Sequence, residues 1–373
     1  MRIVFTGGGT GGHFYPCIAI AEELRGESAS RGEKLDLYYF ATSAYNQNLL
    51  DANAISFVYV PAGKWRRYFS LKNIVDLFRT ATGVIIAFFR LLFIYPDVIF
   101  GKGGYVSFPT LLAARLLFIP IIIHESDAKP GRVNTWAASF ATRIAVSYQE
   151  ASLHFPKEKV AWTGQPLRLS VTKESKNRAL EYFQFKENVP TIALLGGSQG
   201  AVRLNEGLLD ALPKLLPLFQ IIHQTGEKNF KDVTDRTSII LEKEPNKERY
   251  KAFPYLSAEA MGAVAGAADV VITRAGSTVF ELAHWRIPAI IIPIPSEISH
   301  DQESNAYAYG RTGAAIVIEE SNFTPNLLLS ELNRIVLNTP EKENMIKAAA
   351  LFDRPDAAKV ISQSIRDLAE NHV

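Results

Sequence analysis

His13 closes a run of five glycines in six positions, Gly7-Gly8-Gly9-Thr10-Gly11-Gly12, and is the first side chain beyond them able to move a proton. Backbone without Cβ atoms lets an anion lie against its N–H groups. A helix starting where the loop ends adds unpaired donors and the positive end of its dipole. Phosphate or pyrophosphate is the ligand this arrangement fits. The dipole also disfavours an imidazolium, so His13 would stay neutral, as a base must; a bound diphosphate would push the other way. The bland alternative is a glycine-rich turn that only lets a helix pack on a sheet.

A second loop of the same kind, Gly196-Gly197-Ser198-Gln199-Gly200-Ala201, adds side-chain donors at a helix start. Glu281, behind Gly276-Ser277, can grip a ribose diol through two charge-assisted hydrogen bonds or simply stabilise a helix start. Arg168 can reach a diphosphate from a linker or stay solvated. Asp301, Gln302 and Asn305 open another helix; Asp301 and Asn305 share its face and can converge on sugar hydroxyls or act as caps. His124-Glu125-Ser126-Asp127 ends a buried strand and supplies further titratable groups.

Other chemistries lack their residues. The second strand ends without the acid of a dinucleotide fingerprint, and neither loop ends in the Gly-Lys-Ser/Thr of a P-loop. There is no Gly-x-Ser-x-Gly, no ligand-like histidine spacing and no Asp-x-Asp for a magnesium–diphosphate. Backbone N–H groups and arginine would then meet the diphosphate charge, with no metal and no cofactor. Cys17, the single cysteine, lies in an apolar helical run and reads as packing.

These residues need a scaffold that repeats. The 373 residues exceed one ordinary core. Strands at 35–40, 55–60, 97–100, 120–124 and 160–163 alternate with helices at 46–52, from Leu71 (capped by Ser70) towards Phe93, and at 107–117. After a linker at 164–168 the pattern restarts with a strand at 191–195, a glycine loop and a helix at 202–215; strands at 219–223, 270–273 and 289–292 follow. Alternation of this kind indicates α/β architecture with parallel, doubly wound sheets, whose ligands collect at the carboxyl ends of the strands. Two phosphorylated ligands meeting between two such halves is the expectation.

Net charge of +2 gives no bulk argument for nucleic acid, and one cysteine excludes an internal disulfide and suits a reducing cytoplasm. Met1-Arg2 leads straight into a strand, unlike a signal peptide. Arg90 and Pro96 interrupt the most apolar stretch, which argues against a continuous membrane span. A peripheral membrane patch is expected instead, from Trp65, Arg66, Arg67, Phe69, Ile74, Leu77, Phe78, Ile85, Phe88 and Phe89, with Arg79 and Arg90 reaching anionic head groups. The alternative is that this stripe is the core face of a helix.

Gly8-Gly9-Thr10-Gly11-Gly12-His13, Gly103-Gly104-Tyr105-Val106-Ser107, His124-Glu125, Gly196-Gly197-Ser198-Gln199-Gly200-Ala201 and Gln302-x-x-Asn305 together resemble the MurG family, in order, from about residue 2 to 340. The resemblance implies a GT-B fold of two Rossmann-like domains: 1–163 for the acceptor and the membrane, and 164–373 for the donor, with the last helix free to pack back on the first domain. It implies a metal-independent, inverting transfer of N-acetylglucosamine from UDP-N-acetylglucosamine to lipid I, undecaprenyl-pyrophosphoryl-N-acetylmuramoyl-pentapeptide, giving lipid II for peptidoglycan. It also implies a peripheral position on the cytoplasmic face of the plasma membrane, beside other cell-wall synthesis proteins. By the same resemblance Gly197, Ser198 and Gln199 cradle the donor diphosphate with Arg168, Glu281 holds the ribose, and Asp301, Gln302 and Asn305 the sugar. Thr10, Gly11 and Gly12 serve UDP-N-acetylglucosamine and, with Gly9, Gly103, Gly104, Tyr105 and Asn134, the acceptor diphosphate side. His13 is the expected base with Asp127 orienting it, and Glu125 and Asp127 are the other candidates. Three residues depart from the familiar motifs: Ser126 where a glutamine is usual, Asp127 where an asparagine is usual, and Asp301 where a glutamine is usual. Residues 253–261 differ in length from the family's uracil-binding stretch.

Overall fold

The computed structural model describes residues 1–64, 72–168, 171–196, 201–299 and 301–370. Trp65, Arg66, Arg67, Phe69, Ser70, Leu71, Gly197, Ser198 and Gln199 therefore lie outside the described residues. The chain divides into two compact units, Met1–Arg168 with Arg354–Val373, and Leu169–Asp353. Compared with the expected boundary, the first unit keeps residues 164–168 and takes back the C-terminal segment.

The first unit alternates strands and helices: β1 (Arg2–Thr6), α1 (Gly11–Arg31), β2 (Asp36–Ala41), α2 (Gln47–Ala52), β3 (Ile55–Tyr59), α3 (Lys72–Ile94), β4 (Val98–Gly101), α4 (Gly104–Leu116), β5 (Ile121–Glu125), α5 (Arg132–Ala137), β6 (Arg143–Val146) and β7 (Val160–Trp162). Its sheet has the order β3-β2-β1-β4-β5-β6-β7, all parallel. β1, β4 and β5 are buried or nearly so along their length, which is why they read as unbroken apolar runs rather than alternating ones. Strand order reverses between β1 and β4, and the loops leaving both strands carry the first glycine run and the Lys102–Tyr105 turn.

The second unit holds α6 (Lys176–Phe183), β8 (Thr191–Leu195), α7 (Val202–Leu215), β9 (Gln220–Gln224), α8 (Phe230–Ile240), β10 (Tyr250–Phe253), α9 (Ala258–Ala267), β11 (Val270–Thr273), α10 (Thr278–Trp285), β12 (Ala289–Ile291), α11 (Gln302–Gly310), β13 (Ala315–Val317), α12 (Pro325–Leu337) and α13 (Thr339–Phe352). Its parallel sheet runs β10-β9-β8-β11-β12-β13, with the reversal between β8 and β11. The strands β6, β10 and β13, absent from the sequence reading, are three or four residues long and lie at or near the sheet margins. Strands that short carry too little periodicity to stand out.

The last helix, α14 (Ala357–Glu370), belongs to the first unit. Its Ile361, Ile365 and Ala369 complete the apolar cluster of β1 and α1. Arg366, 1% exposed, sits in that interface with Nε 2.7 Å from Glu27 and Nη1 2.7 Å from Glu33. Removing both acids would leave the buried guanidinium without its charge partners, which is destabilising.

α3 occupies the expected stretch, from Leu71 towards Phe93. It runs unbroken past Arg90 to Ile94 and is, by length and composition, apolar enough to cross a membrane. It packs on α4 through Gly83, whose backbone faces Pro109, and through Ala87 and Leu91. Ile74, Leu77, Phe78, Ile85 and Phe89 are exposed, as are Val75, Leu92 and Phe93. Phe88, expected in the same patch, turns to the core instead.

Candidate active site

Three loops at the carboxyl edge of the first sheet build one polar site. β1 releases the glycine run, which Tyr39 of β2 holds by donating its hydroxyl to the Gly7 carbonyl. α1 starts at Gly11, and two residues on, His13 turns its ring back so that Nδ1 is 3.0 Å from the Gly8 carbonyl oxygen. A carbonyl only accepts, so Nδ1 carries the hydrogen and Nε2 keeps the lone pair. Burial lowers the imidazole pKa first; the Gly8 bond opposes it, the charge of Lys102 adds to it and that of Asp127 opposes it. The ring is a neutral base with its accepting nitrogen set by the backbone.

The turn after β4 supports that ring. Gly103 and Gly104 have φ of +78° and +73°, so both take the left-handed backbone that glycine tolerates. A Cβ on Gly104 would lie 3.2 Å from His13 Cε1, and one on Gly103 would lie 2.6 Å from Asn134 Nδ2. These are the close approaches the glycines permit. α4 begins there, so its first N–H groups open beside the histidine.

β5 ends in the third loop. Glu125, 4% exposed, accepts from the Asp127 N–H (3.0 Å), the Gly131 N–H (3.0 Å) and Asn134 Nδ2 (2.9 Å). With three N–H groups on its two oxygens it ties the 125–131 loop and is not placed to act as a base. Asn134 also donates to the His124 carbonyl (3.1 Å) and is 2% exposed, so it braces the loop from behind rather than facing a ligand. Its Oδ1 is buried and unpartnered. The charge of Asp127 favours the His13 imidazolium, and the Gly8 carbonyl orients the ring at Nδ1.

Beneath the loops lies a group the sequence reading passed over. Lys102, 1% exposed, places Nζ 2.6 Å from His124 Nδ1 and 3.4 Å from Gln165 Oε1, and donates to Ser126 Oγ. His124 Nε2 donates to the Gly164 carbonyl at 3.0 Å, which leaves Nδ1 as acceptor for the ammonium. Burial, then the charge of Lys102, hold His124 well below the usual histidine range. Burial brings Lys102 itself down to about 8. Gln165 joins Ser147 (2.8 Å) and Ser126 (3.3 Å) to the same network. Arg168, expected at a diphosphate, is paired to Glu22 of α1 at 3.3 Å within the first unit.

In the second unit, Glu281 lies in the first turn of α10, beside the reversal between β8 and β11. It is half-buried, has no hydrogen-bond partner among the described residues, and burial pushes its carboxyl up to about 7. Such a carboxylate is short of donors, as a diol-binding group should be. Gln302 Oε1 accepts from the Ile294 N–H at 3.3 Å, and Asp301 precedes α11 without capping it by its side chain. Asn305, 4% exposed, donates to the Ala275 carbonyl at 3.3 Å and ties α11 to the 274–277 turn, so it supports the site instead of sharing an open face with Asp301. Residues 253–261 lead from β10 into α9, where Ser257 Oγ caps the Ala260 N–H at 3.2 Å. Among the described residues no three histidine, cysteine or acidic side chains converge as a metal site.

The glycosyltransferase family 28 N-terminal domain matches residues 3–146, and the C-terminal domain of the same family matches residues 191–361. The chain belongs to glycosyltransferase family 28. A relative from Bacillus thuringiensis subsp. konkukian, named UDP-N-acetylglucosamine--N-acetylmuramyl-(pentapeptide) pyrophosphoryl-undecaprenol N-acetylglucosamine transferase 2, is 37% identical over 349 residues, 93% of this chain and 94% of its own. The transferase of that name from Treponema denticola is 34% identical over 383 residues, covering 98% and 97%. The crystal structure of Acinetobacter baumannii MurG superposes with a TM-score of 0.74 at 26% identity, covering 98% of this chain and 99% of that one. The fold is accordingly GT-B, two Rossmann-like units in one family 28 enzyme. Within the family 28 N-terminal unit, His13, Gly103, Gly104 and the 124–127 turn come together as expected, with Gly9, Thr10, Gly11 and Gly12 around the start of α1. Tyr105 stands on the first turn of α4, 38% exposed.

Proposed function

We propose that this enzyme transfers N-acetylglucosamine from UDP-N-acetylglucosamine to the muramoyl C4 hydroxyl of lipid I, with inversion, to give lipid II. The observation that carries this is near-full-length identity of 34–37% to relatives bearing that activity in their names. The site in the N-terminal unit supports the chemistry. His13 Nε2 takes the proton of the acceptor hydroxyl as its oxygen bonds the anomeric carbon; the bond from that carbon to UDP breaks, and UDP leaves with the electron pair. The α4 start and the first glycine loop offer N–H donors to the acceptor diphosphate. Glu281 receives the donor ribose, and Gly197, Ser198 and Gln199 its diphosphate, without a divalent metal.

The acceptor is lipid-linked, so the enzyme must work at a bilayer surface. The exposed apolar face of α3 supports peripheral binding to an anionic membrane, with Arg79 and Arg90 exposed on the same helix. The cytoplasmic face of the plasma membrane is the corresponding location, where other cell-wall enzymes would be neighbours. Labelled N-acetylglucosamine supplied on UDP, with a lipid I analogue and EDTA, should appear in a lipid II product. Hydrolysis of the donor without transfer, or no turnover with that acceptor, would defeat the assignment. Phe78→Ser with Phe93→Ser should release the protein from vesicles of anionic lipid; undiminished binding would remove the membrane role of α3.

A further inference from the structure

The Lys102 ammonium touches no ligand-facing surface, yet it is the charge most deeply set into the acceptor-side site. Its Cβ lies 2.7 Å from where a Cβ on Gly7 would stand, directly under the first glycine loop. Its three donors meet three acceptors on three segments: His124 on β5, Ser126 after it, and Gln165 before the chain leaves the unit. Gln165 in turn reaches the Gly12 carbonyl at 3.5 Å, next to His13. Burying a lysine is costly, and a methionine of similar length would fill the same space without that cost. No carboxylate oxygen lies within ion-pair distance of Nζ among the described residues, so the cost is not offset by a direct partner.

We propose that Lys102 is a positioning residue for the transfer reaction: its ammonium ties the 124–127 turn to the floor of the first glycine loop and sets a positive charge beneath His13. This rests on His13 being the base. The charge acts against protonation of the imidazole, as the Coulombic effect of Lys102 on both His13 and His124 shows. The other titratable groups around the ring are Cys17 on α1, Tyr39 on β2, His124 and Glu125 on β5, and Asp127 beyond it. Cys17 is buried and pushed up to about 12, and Tyr39 is also raised, so both stay neutral. Asp127 favours the imidazolium, and Lys102 is the cation that counters it. An acceptor diphosphate above the ring would add to Asp127, so the fixed positive charge matters most when substrate is bound.

Lys102→Met tests this in the full-length enzyme. Histidine side-chain NMR without substrate should show the His13 titration moved to higher pH. The acid limb of kcat/KM should move with it, with a loss of roughly tenfold at about pH 6 and no more than about twofold at about pH 8.5. A His13 titration unmoved in a folded variant overturns the proposal, as does a loss of activity equal at both pH values, which would mark Lys102 as merely structural. In wild-type protein, 15N NMR of Nζ should show an ammonium at neutral pH that titrates near 8; a neutral amine at about pH 6.5 overturns the proposal without any variant. The NMR arm needs no substrate. If the titration moves while no transfer to lipid I occurs in wild type, the control of His13 protonation by Lys102 stands, and the assigned reaction falls together with the part Lys102 was given in it.

Discussion

His124 and His223 are each the fourth residue of a five-residue parallel strand, one per unit, and both are fully buried with both ring nitrogens bonded. Their partners differ in kind. His124 lies between a carbonyl and an ammonium, with Glu125 and Asp127 close by. His223 donates from Nε2 to Asn205 Oδ1 (3.0 Å) and accepts at Nδ1 from the Tyr250 hydroxyl (2.7 Å), all neutral groups. Asn205 then donates to the Thr225 carbonyl at 3.0 Å, closing a network at the carboxyl end of β9. The first unit thus builds charge into the floor of its site, beneath the histidine proposed to move a proton. The second surrounds its buried histidine with neutral partners, which fits the proposed division in which that unit holds the nucleotide sugar.

The sharpest break of this contrast is His13→Ala. Loss of the base should lower kcat by roughly a hundred- to ten-thousand-fold, while acceptor affinity changes far less. Because burial and Lys102 lower the His13 pKa, the acid limb of the wild-type kcat/KM profile should lie below the ordinary histidine value of 6.5. A profile flat across that range, or a variant that loses acceptor affinity alone, would place the proton transfer elsewhere.

The neutral surroundings of His223 have their own pH signature. Burial takes the His223 pKa down to about 3, below its unfolded value of 6.5. Between those values the unfolded chain binds the proton and the folded unit does not, so stability falls as pH drops from about 6.5 towards 3, by on the order of a few kcal/mol over the window. His223→Gln should flatten that part of the acid denaturation curve, read by urea titration at several pH values. An unchanged slope would mean that other groups carry it.

Glu281, whose carboxyl burial raises, gives a smaller effect of opposite character at the proposed donor site. With its carboxyl at about 7, binding a ribose diol to the ionised form must expel a proton at neutral pH. UDP affinity should therefore weaken as pH falls through 7, and Glu281→Gln should remove the pH dependence and cost about tenfold, or 1.4 kcal/mol. Calorimetry in buffers of different ionisation enthalpy checks the proton release. Smallest is Tyr250→Phe, which deletes one neutral hydrogen bond to His223 and should cost about 1 kcal/mol of stability without altering turnover. A change in kcat there would spoil the division of labour between the units.

What sequence reasoning recovers follows the range of the physics. The first glycine loop, the strands ahead of both loops and the return of alternation after residue 190 are local patterns, and β8, α7 and β11 fall where expected. α4 starts three residues earlier than the helical periodicity predicted, because Gly103 and Gly104 read as loop while their positive φ angles are what start the helix against His13. Lys102 passed as part of a glycine turn. Its burial depends on acceptors 22, 24 and 63 residues away, which no window along the chain contains. Glu125 reads as ligand-facing because polar residues at a strand end usually are, and Asn134 because the resemblance puts an asparagine on the acceptor side; that they hold each other shows only in three dimensions. The Gly8 carbonyl that orients His13 is invisible to any reading of side chains.

The clasp around Arg366 bears on how the enzyme is made. The core of the first unit includes Ile361, Ile365 and Ala369, and its helix α1 anchors a cation more than 330 residues downstream. During synthesis the N-terminal unit emerges first but lacks part of its interior until the last helix leaves the ribosome. The uninterrupted unit, Leu169–Asp353, has no such wait. The later-made half can thus reach its native state while the earlier-made one still exposes apolar surface. Translation stalled before residue 354 would yield a nascent chain folded at its C-terminal end and protease-sensitive at its N-terminal end, the reverse of the usual order.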